Sequence, residues 1–257
     1  MNKLEKLETL DAIFGGRIKI FQSRTGYRFS LDSLLLADFT RLKGSETVVD
    51  LGTGNGVVPL ILAERFPTCH FLGLELQDGM IERARKNIHL NDLQDRVEIV
   101  KGSVRAIART AQPEVFDVVV ANPPFRKATS GSISAGEEKR IARHETEGDL
   151  RDFLRAAAYL LRGKGRLTIV YPALRSIDVL TVMRELGIEP KRVRLVHSFV
   201  GTEATLILAE GIKGGRSSVI ILPPLIVYSR AKDYTDEVAS IIAGSRDRQP
   251  RERRLRR

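Results

Sequence analysis

The residues best suited to chemistry form one run, Phe116-Asp117-Val118-Val119-Val120-Ala121-Asn122-Pro123-Pro124-Phe125. Phe116 to Ala121 is short, rich in valine and apolar except for Asp117, the pattern of a strand covered on both faces. Two prolines follow. Neither can donate a ladder hydrogen bond, so the strand ends there. Asn122 precedes a proline and is held extended, with its amide projecting from the carboxyl end of the strand. Open parallel sheets place their ligands at that end. The Asn122 amide oxygen, the Pro123 carbonyl with no competing N–H beside it, and the flat ring of Phe125 together suit a planar group that bears an NH₂. The alternative is a strand that stops at a Pro-Pro turn and does no chemistry.

A second cluster lies upstream. Thr47 to Leu51 reads as a strand, Gly52-Thr53-Gly54-Asn55-Gly56 as a glycine-rich turn, and Val57 to Phe66 as a helix. Glycines there let a ligand approach the backbone and the free amides of the helix N-terminus. A dinucleotide fingerprint would need a third glycine at position 57, which is valine. The pattern is instead Asp-x-Gly-x-Gly-x-Gly, with Asp50 ahead of the glycines. The next strand, His70 to Glu75, ends in an acid 23 residues beyond Gly52, the spacing at which such folds set a carboxylate on a ribose diol.

The elements that must position these groups alternate between strand and helix. Residues 1–16 suggest a short amphipathic helix, closed by Gly15-Gly16. Arg17 to Phe21 alternates as a strand. Gln22 to Ser30 is a polar loop, and Leu31 to Leu42 a helix capped by Ser30 with Asp32 in its first turn. Beyond Glu75, Gln77 to Leu90 is helical, Arg96 to Lys101 is a third strand ending in Gly102-Ser103, and Ala106 to Thr110 is a short helix. Arg126 to Glu147 is a long polar segment of the length that marks a lid or a disordered loop, and it carries Arg143-His144-Glu145. Asp149 to Leu161 and Leu174 to Leu186 are helical, with a Gly163-Lys-Gly165 turn and a strand from Arg166 to Tyr171 between them. Lys191 to His197 and Ala204 to Ala209 form a closing strand pair. Ser217 to Leu222 and Ile226 to Tyr228 are extended, and Asp236 to Ala243 is a terminal helix. The expected fold is α/β: a Rossmann-like, seven-stranded, mostly parallel sheet with helices on both faces and an antiparallel pair toward the C-terminus. Three parts are expected: an N-terminal extension (1–43), a core domain (44–243) and a basic tail (244–257).

Composition narrows the classes. The single cysteine, Cys69, excludes an internal disulfide and a multi-cysteine zinc site, which fits a reducing, cytoplasmic setting. Histidines 70, 89, 144 and 197 have no metal-ligand spacing, so no metal is expected. No apolar run reaches the ~18 residues of a membrane span. The charged start, Met-Asn-Lys-Leu-Glu-Lys-Leu-Glu, is unlike a secretory signal. The formal net charge of +10 favours a polyanionic partner, with nucleic acid first. Within Arg246 to Arg257, seven arginines stand against Asp247 and Glu252, so 7 − 2 gives +5. That stretch is expected to be disordered in isolation and either to touch RNA phosphates or to act only as a solubilising end.

Taken together, the Asp-x-Gly-x-Gly-x-Gly loop, Glu75 and Asn122-Pro-Pro-Phe125 resemble the class I S-adenosylmethionine-dependent methyltransferases that modify a planar exocyclic nitrogen. Gln22, Gly26 to Leu36, Ala142-Arg-His-Glu145, Val196-His197 and Pro223-Pro224-Leu225 narrow the resemblance. They are similar to the bacterial tRNA(Val) adenine-N6 methyltransferases, which act on the adenine 3′ of the anticodon. The resemblance runs from about Phe21 to Ala243. It implies S-adenosylmethionine as cofactor, tRNA as partner, no membrane, and a monomer or homodimer. It implies catalytic roles for Asn122, Pro123 and Phe125. It implies cofactor contacts for Asp50, Gly52, Thr53, Gly54, Gly56, Glu75, Leu76, Ser103 and Asn122, with Tyr27 and Asp32 as part of a lid. Ser103 stands where many such enzymes have an acid for the cofactor's adenine amino group. Substrate contacts are implied for Pro124, Phe125, Arg126, Lys127, Arg143, His144 and Arg28. Guanine-N2 and protein glutamine-N5 methylation share the Asn-Pro-Pro-Phe signature and stay open. So does a non-catalytic RNA-binding module on the same fold.

Overall fold

The computed structural model describes residues 8–24, 28–124, 148–230 and 233–245. The helix expected over 1–16 is not formed by its described part. Glu8–Ile13 (β1) is extended and pairs antiparallel with Ile18–Ser23 (β2) across a turn at Phe14–Gly16. Pairing with β2 decides this, and the side chains alternate accordingly: Leu10 and Ala12 face outward while Thr9, Asp11 and Ile13 are half-buried. Gly15 and Gly16, at φ 64° and 90°, supply the left-handed turn that closes the hairpin. Leu31–Phe39 (α1) follows and stops short of Leu42, because the Thr40 hydroxyl and amide both bond back to the Leu36 carbonyl.

The main sheet contains Thr47–Leu51 (β3), His70–Glu75 (β4), Val97–Lys101 (β5), Phe116–Ala121 (β6), Leu161–Pro172 (β7), Ile188–His197 (β8) and Ala204–Lys213 (β9). Two short strands, Ile220–Ile221 (β10) and Leu225–Ile226 (β11), extend it. The order is β10-β8-β9-β7-β6-β3-β4-β5, with β11 also paired to β8. Only β9 runs against the rest. The expected seven-strand, mostly parallel sheet is therefore present, widened by two strands of two residues each. The Gly163-Lys-Gly165 turn is instead a bulge inside β7: pairing with β6 shifts register after Phe116↔Leu161, and Lys164 adopts φ 68°.

The helices are Val57–Arg65 (α2), Asp78–Leu90 (α3), Leu150–Leu160 (α4), Ser176–Glu185 (α5) and Asp236–Ala243 (α6). The alternation along the strands sends Val48, Val118 and Val120 into one core with α1, α2, α3 and α6. Val49, Leu51, Val119 and Ala121 enter the other core with α4 and α5. Each such buried valine or leucine contributes about 1.5–3 kcal/mol relative to exposure. Helix α4 starts sharply because Asp149 and Asp152 form a reciprocal capping box. Arg105 secures Asp152 from the neighbouring turn at 2.7 Å.

The chain builds β3, β4 and β5 in one direction, then returns to add β6 and β7 on the other side of β3. The crevice between β3 and β6 is the topological switch point, and it opens at the carboxyl ends of the strands.

Candidate active site

The sheet register brings the sequence clusters to that crevice. Leu51 pairs with Ala121 on one side and with Leu74 on the other, so Gly52, Glu75 and Asn122 follow the ends of three adjacent strands. Glu75 in turn pairs with Lys101, two residues before Ser103.

The glycine turn is held from below. The Gly52 and Thr53 amides donate to the Leu74 carbonyl at 2.9 and 3.0 Å. Gly52, Gly54 and Gly56 all have positive φ, at 70°, 59° and 82°. Two of them also have packing reasons to lack a side chain. A Cβ on Gly52 would lie 3.2 Å from the Phe153 ring, and one on Gly56 would lie 3.3 Å from the Ala84 methyl.

Glu75 is buried and its carboxylate is already engaged. One oxygen accepts from the Gly54 amide at 2.9 Å; the other accepts from Leu76 and Gln77 at 2.8 and 2.9 Å. It thereby ties the glycine turn to the start of α3. Of about four lone-pair positions, three are taken, so a diol docking there would share the carboxylate with the loop. Asp50 lies at the end of β3, 4% exposed. Burial pushes its carboxyl up to about 7, and the negative Glu75 adds to the rise. The Thr53 hydroxyl partly offsets this without reaching hydrogen-bond geometry. Both polar atoms of the Asn55 side chain are buried without a hydrogen-bond partner among the described residues.

At the other wall, the Asn122 amide nitrogen donates to the Ser33 hydroxyl of α1 at 3.4 Å. Ser33 is 2% exposed, whereas Asn122 is half-buried. Among the described residues no donor reaches the Asn122 amide oxygen. Pro123 is buried and Pro124 half-buried beside it. Asp32 is half-buried in the first turn of α1, next to Ser33.

Two of the expected contact residues already have partners within the fold. The Ser103 hydroxyl caps a short helical turn by accepting from the Arg105 amide at 3.3 Å. Gly102 has no room for a side chain, since a Cβ would approach Leu74 at 2.6 Å and the Thr110 hydroxyl at 2.8 Å. Arg28 pairs with Asp11 at 2.6 Å and bonds Thr9, both on β1. Leu76 is half-buried at the mouth of α3. Tyr27, Phe125, Arg126, Lys127, Arg143, His144 and Glu145 lie outside the described residues.

Sequence reasoning does not find Ser33 or Asn87. Asn87 is fully buried on α3. It accepts from the Phe21 amide at 2.6 Å and donates to the carbonyls of Phe21 and Asn55 at 3.2 and 2.9 Å. Asn91, one turn on, binds both backbone groups of Lys19. A signal for Asn87 does exist: two asparagines four residues apart on a helix otherwise amphipathic.

Comparison with known proteins places this geometry in a family. The model of the methyltransferase small domain matches residues 30–186. The chain belongs to that family. Among curated relatives, a tRNA1(Val) (adenine(37)-N6)-methyltransferase of Bacteroides thetaiotaomicron is 28% identical over 196 residues, covering 70% of this chain and 80% of that one. A protein of the same name from Haemophilus influenzae strain PittGG is 25% identical over 229 residues, covering 84% and 90%. Among solved structures, a predicted O-methyltransferase from Agrobacterium tumefaciens superposes with a TM-score of 0.67 at 22% identity, covering 83% of this chain and 96% of that one. Pyrococcus horikoshii TYW2 in complex with MeSAdo gives 0.56 at 14% identity, covering 81% and 72%. These two likenesses concern the fold.

Proposed function

We propose that the protein transfers the methyl group of S-adenosylmethionine to the N6 nitrogen of an adenine in tRNA, with the adenine 3′ of the anticodon of tRNA(Val) as target. The observation that carries this reading is the place of Asn122. It follows β6 at the switch-point crevice beside the glycine turn, with its amide nitrogen taken by Ser33 and no donor on its oxygen among the described residues. The relatives named tRNA1(Val) (adenine(37)-N6)-methyltransferase support the substrate.

The residues present fit the cofactor. The positive-φ glycine turn allows close approach of a ligand, and Glu75 supplies a carboxylate between the turn and α3. Asp50, Gly52, Thr53, Gly54, Gly56, Glu75 and Leu76 would hold it, with Ser103 at the far rim. When bound, the cofactor supplies an electrophilic methyl on sulfur. The difficulty then lies with the nucleophile, because the N6 lone pair is delocalised into the adenine ring. The Asn122 amide oxygen and the Pro123 carbonyl would accept hydrogen bonds from the two N6–H groups and orient the amine; the N–C bond forms as the S–C bond breaks, with S-adenosylhomocysteine leaving and one N6 proton passing to solvent. This is positioning with transition-state electrostatics and requires no general base of unusual pKa. Phe125 supplies the stacking face for a base drawn out of its loop. We also take Tyr27, Arg28 and Asp32, within the N-terminal extension (1–43), as the cofactor lid. Arg28, Pro124, Arg126, Lys127, Arg143 and His144 are proposed as RNA contacts.

The test is methyl transfer from labelled S-adenosylmethionine to unmodified tRNA, followed by nucleoside analysis. N6-methyladenosine in tRNA(Val) is the expected product. N2-methylguanosine, labelled protein, or no transfer at all would overturn the reading.

A further inference from the structure

Among the described residues, eight large apolar side chains are exposed: Leu10 on β1, Val219 to Ile221 at β10, and Leu174, Ile177, Val200 and Tyr234, of which the last four are 86%, 75%, 81% and 46% exposed. Leu174 and Ile177 follow the end of β7. Val200 lies in the turn that joins β8 to β9. β8 runs parallel to β7, because both pair antiparallel with β9. β11 runs parallel to β8, with Ile226 opposite His197. All four residues therefore stand at the carboxyl-end rim of the sheet, the end at which Asn122 emerges.

The outer part of this rim is aromatic. Tyr228 and Tyr234 oppose each other in an isolated antiparallel bridge, and the Ser229 amide donates to the Asp233 carbonyl at 2.8 Å. Their rings stack at 5.3 Å, 18° from parallel. Phe199, from the β8–β9 turn, meets the other side of Tyr228 at 5.6 Å. The result is a supported stack whose outermost ring, Tyr234, keeps nearly half its surface in water. From β6 to β11 there are four strand spacings of about 4.8 Å, or roughly 19 Å along the rim. That distance suits the nucleotides flanking a base inserted at Asn122.

We propose that Leu174, Ile177, Phe199, Val200, Tyr228 and Tyr234 form a stacking surface for unpaired RNA bases beside the target adenine. The proposal rests on the methyl-transfer reading above and adds where the rest of the loop lies. Aromatic faces accept any base, so this surface holds the strand without reading its sequence. The exposed charges here are mixed, with Arg230 beside Asp233 and Glu203 in the adjoining turn. Binding at this rim is therefore led by stacking and not by phosphate charge.

The experiment compares wild type with Tyr234→Ala and Val200→Asp, both at exposed positions, and with Tyr234→Phe. Three quantities are read: the KM for tRNA, direct affinity for a stem with a seven-nucleotide loop, and affinity for S-adenosylhomocysteine. Tyr234→Ala is expected to raise the tRNA KM about five- to a hundredfold, the range for losing one stacked base. Val200→Asp moves it the same way, Tyr234→Phe leaves it near wild type, and cofactor affinity is unchanged in all. The slope of log KM against log salt stays as in wild type, because no phosphate contact is lost. A lowered Tm with unchanged tRNA KM would make the triad a structural clasp and overturn the proposal. A wild-type dimer that Tyr234→Ala dissociates without moving the tRNA KM would make the rim a face between copies and overturn it equally. Wild type that binds the stem-loop through Tyr234 yet methylates no tRNA would keep the surface and remove the methyl-transfer reading. Wild type that binds no RNA would remove both.

Discussion

On the proposed reading, Asn122 touches the substrate and Ser33 holds its amide in place. Asn122→Ala removes the preorganised acceptor and is expected to lower kcat by 10²–10³, roughly 2.7–4 kcal/mol, with cofactor affinity retained. Ser33→Ala leaves Asn122 in place but frees its amide to rotate. Losing one net hydrogen bond of about 1 kcal/mol should lower kcat severalfold, with KM for cofactor unchanged and with recovery in Ser33→Thr. Single-turnover rates with unmodified tRNA measure both. A wild-type rate for Asn122→Ala would reduce the Asn-Pro-Pro run to a turn. Asp50 bears on stability instead. Its carboxyl ordinarily ionises near 3.8 and in the folded chain near 7. Between those values the folded state holds a proton that the unfolded state has lost, so stability falls as pH rises from about 4 to 7 and then levels off. The span is on the order of 4 kcal/mol for about three pH units. Asp50→Asn should flatten the denaturation-midpoint curve across pH 4–8 and raise stability most at pH 8. An unchanged pH profile would mean that Asp50 ionises normally.

The elements meet through polar clasps as well as apolar packing. Two residues along β2 advance about 6.7 Å, and four residues along α3 rise about 6 Å. Asn87 and Asn91 can therefore grip Phe21 and Lys19 in step, so that the helix side chains act as the missing neighbour strand for β2. Because Asn87 also holds the Asn55 carbonyl, the hairpin and the glycine turn are linked through one side chain. Asn87→Ala strands three backbone groups and is expected to cost about 2–4 kcal/mol in urea denaturation, and to weaken S-adenosylhomocysteine binding in calorimetry. Asn91→Ala, at a more open position, should cost less and leave cofactor binding intact. Equal effects from the two would break the link to the glycine turn. These clasps also mark what the sequence can and cannot disclose. The glycine turn, Glu75 and the β6 strand are legible because a few neighbouring residues determine them. The Ser33–Asn122 and Asn87–Phe21 contacts join residues 89 and 66 positions apart, so no local pattern contains them. At residues 8–13 the local pattern points to a helix, yet pairing with β2 and the Gly15-Gly16 turn decide for a strand.

On the proposed reading, charge and shape divide the work of holding an RNA across the whole molecule. The chain carries +10, and the twelve residues 246–257 carry +5 of it, so 10 − 5 leaves +5 for the rest. Many of the remaining cations are committed within the fold: Arg192 to Glu210, Arg194 to Glu237, Arg166 to Glu46, and Arg83 with Lys86 to Glu8. The densest positive charge thus lies toward the C-terminal end of the sequence, while the rim beyond Asn122 offers rings and methyl groups. Each phosphate neutralised adds about 0.7–0.9 to the slope of log affinity against log salt, and a stacked base adds nothing to it. Deleting residues 246–257 is therefore expected to weaken tRNA binding at low salt and to lower that slope by roughly 1–3, with cofactor affinity unchanged. Tyr234→Ala should weaken binding by a similar factor at every salt concentration. Filter binding of tRNA to both variants between about 50 and 200 mM salt separates the two contributions. An identical slope with and without the tail would leave it a solubilising end. The RNA would then have to be held by the folded residues alone, where many cations are already paired and the aromatic rim carries most of the contact.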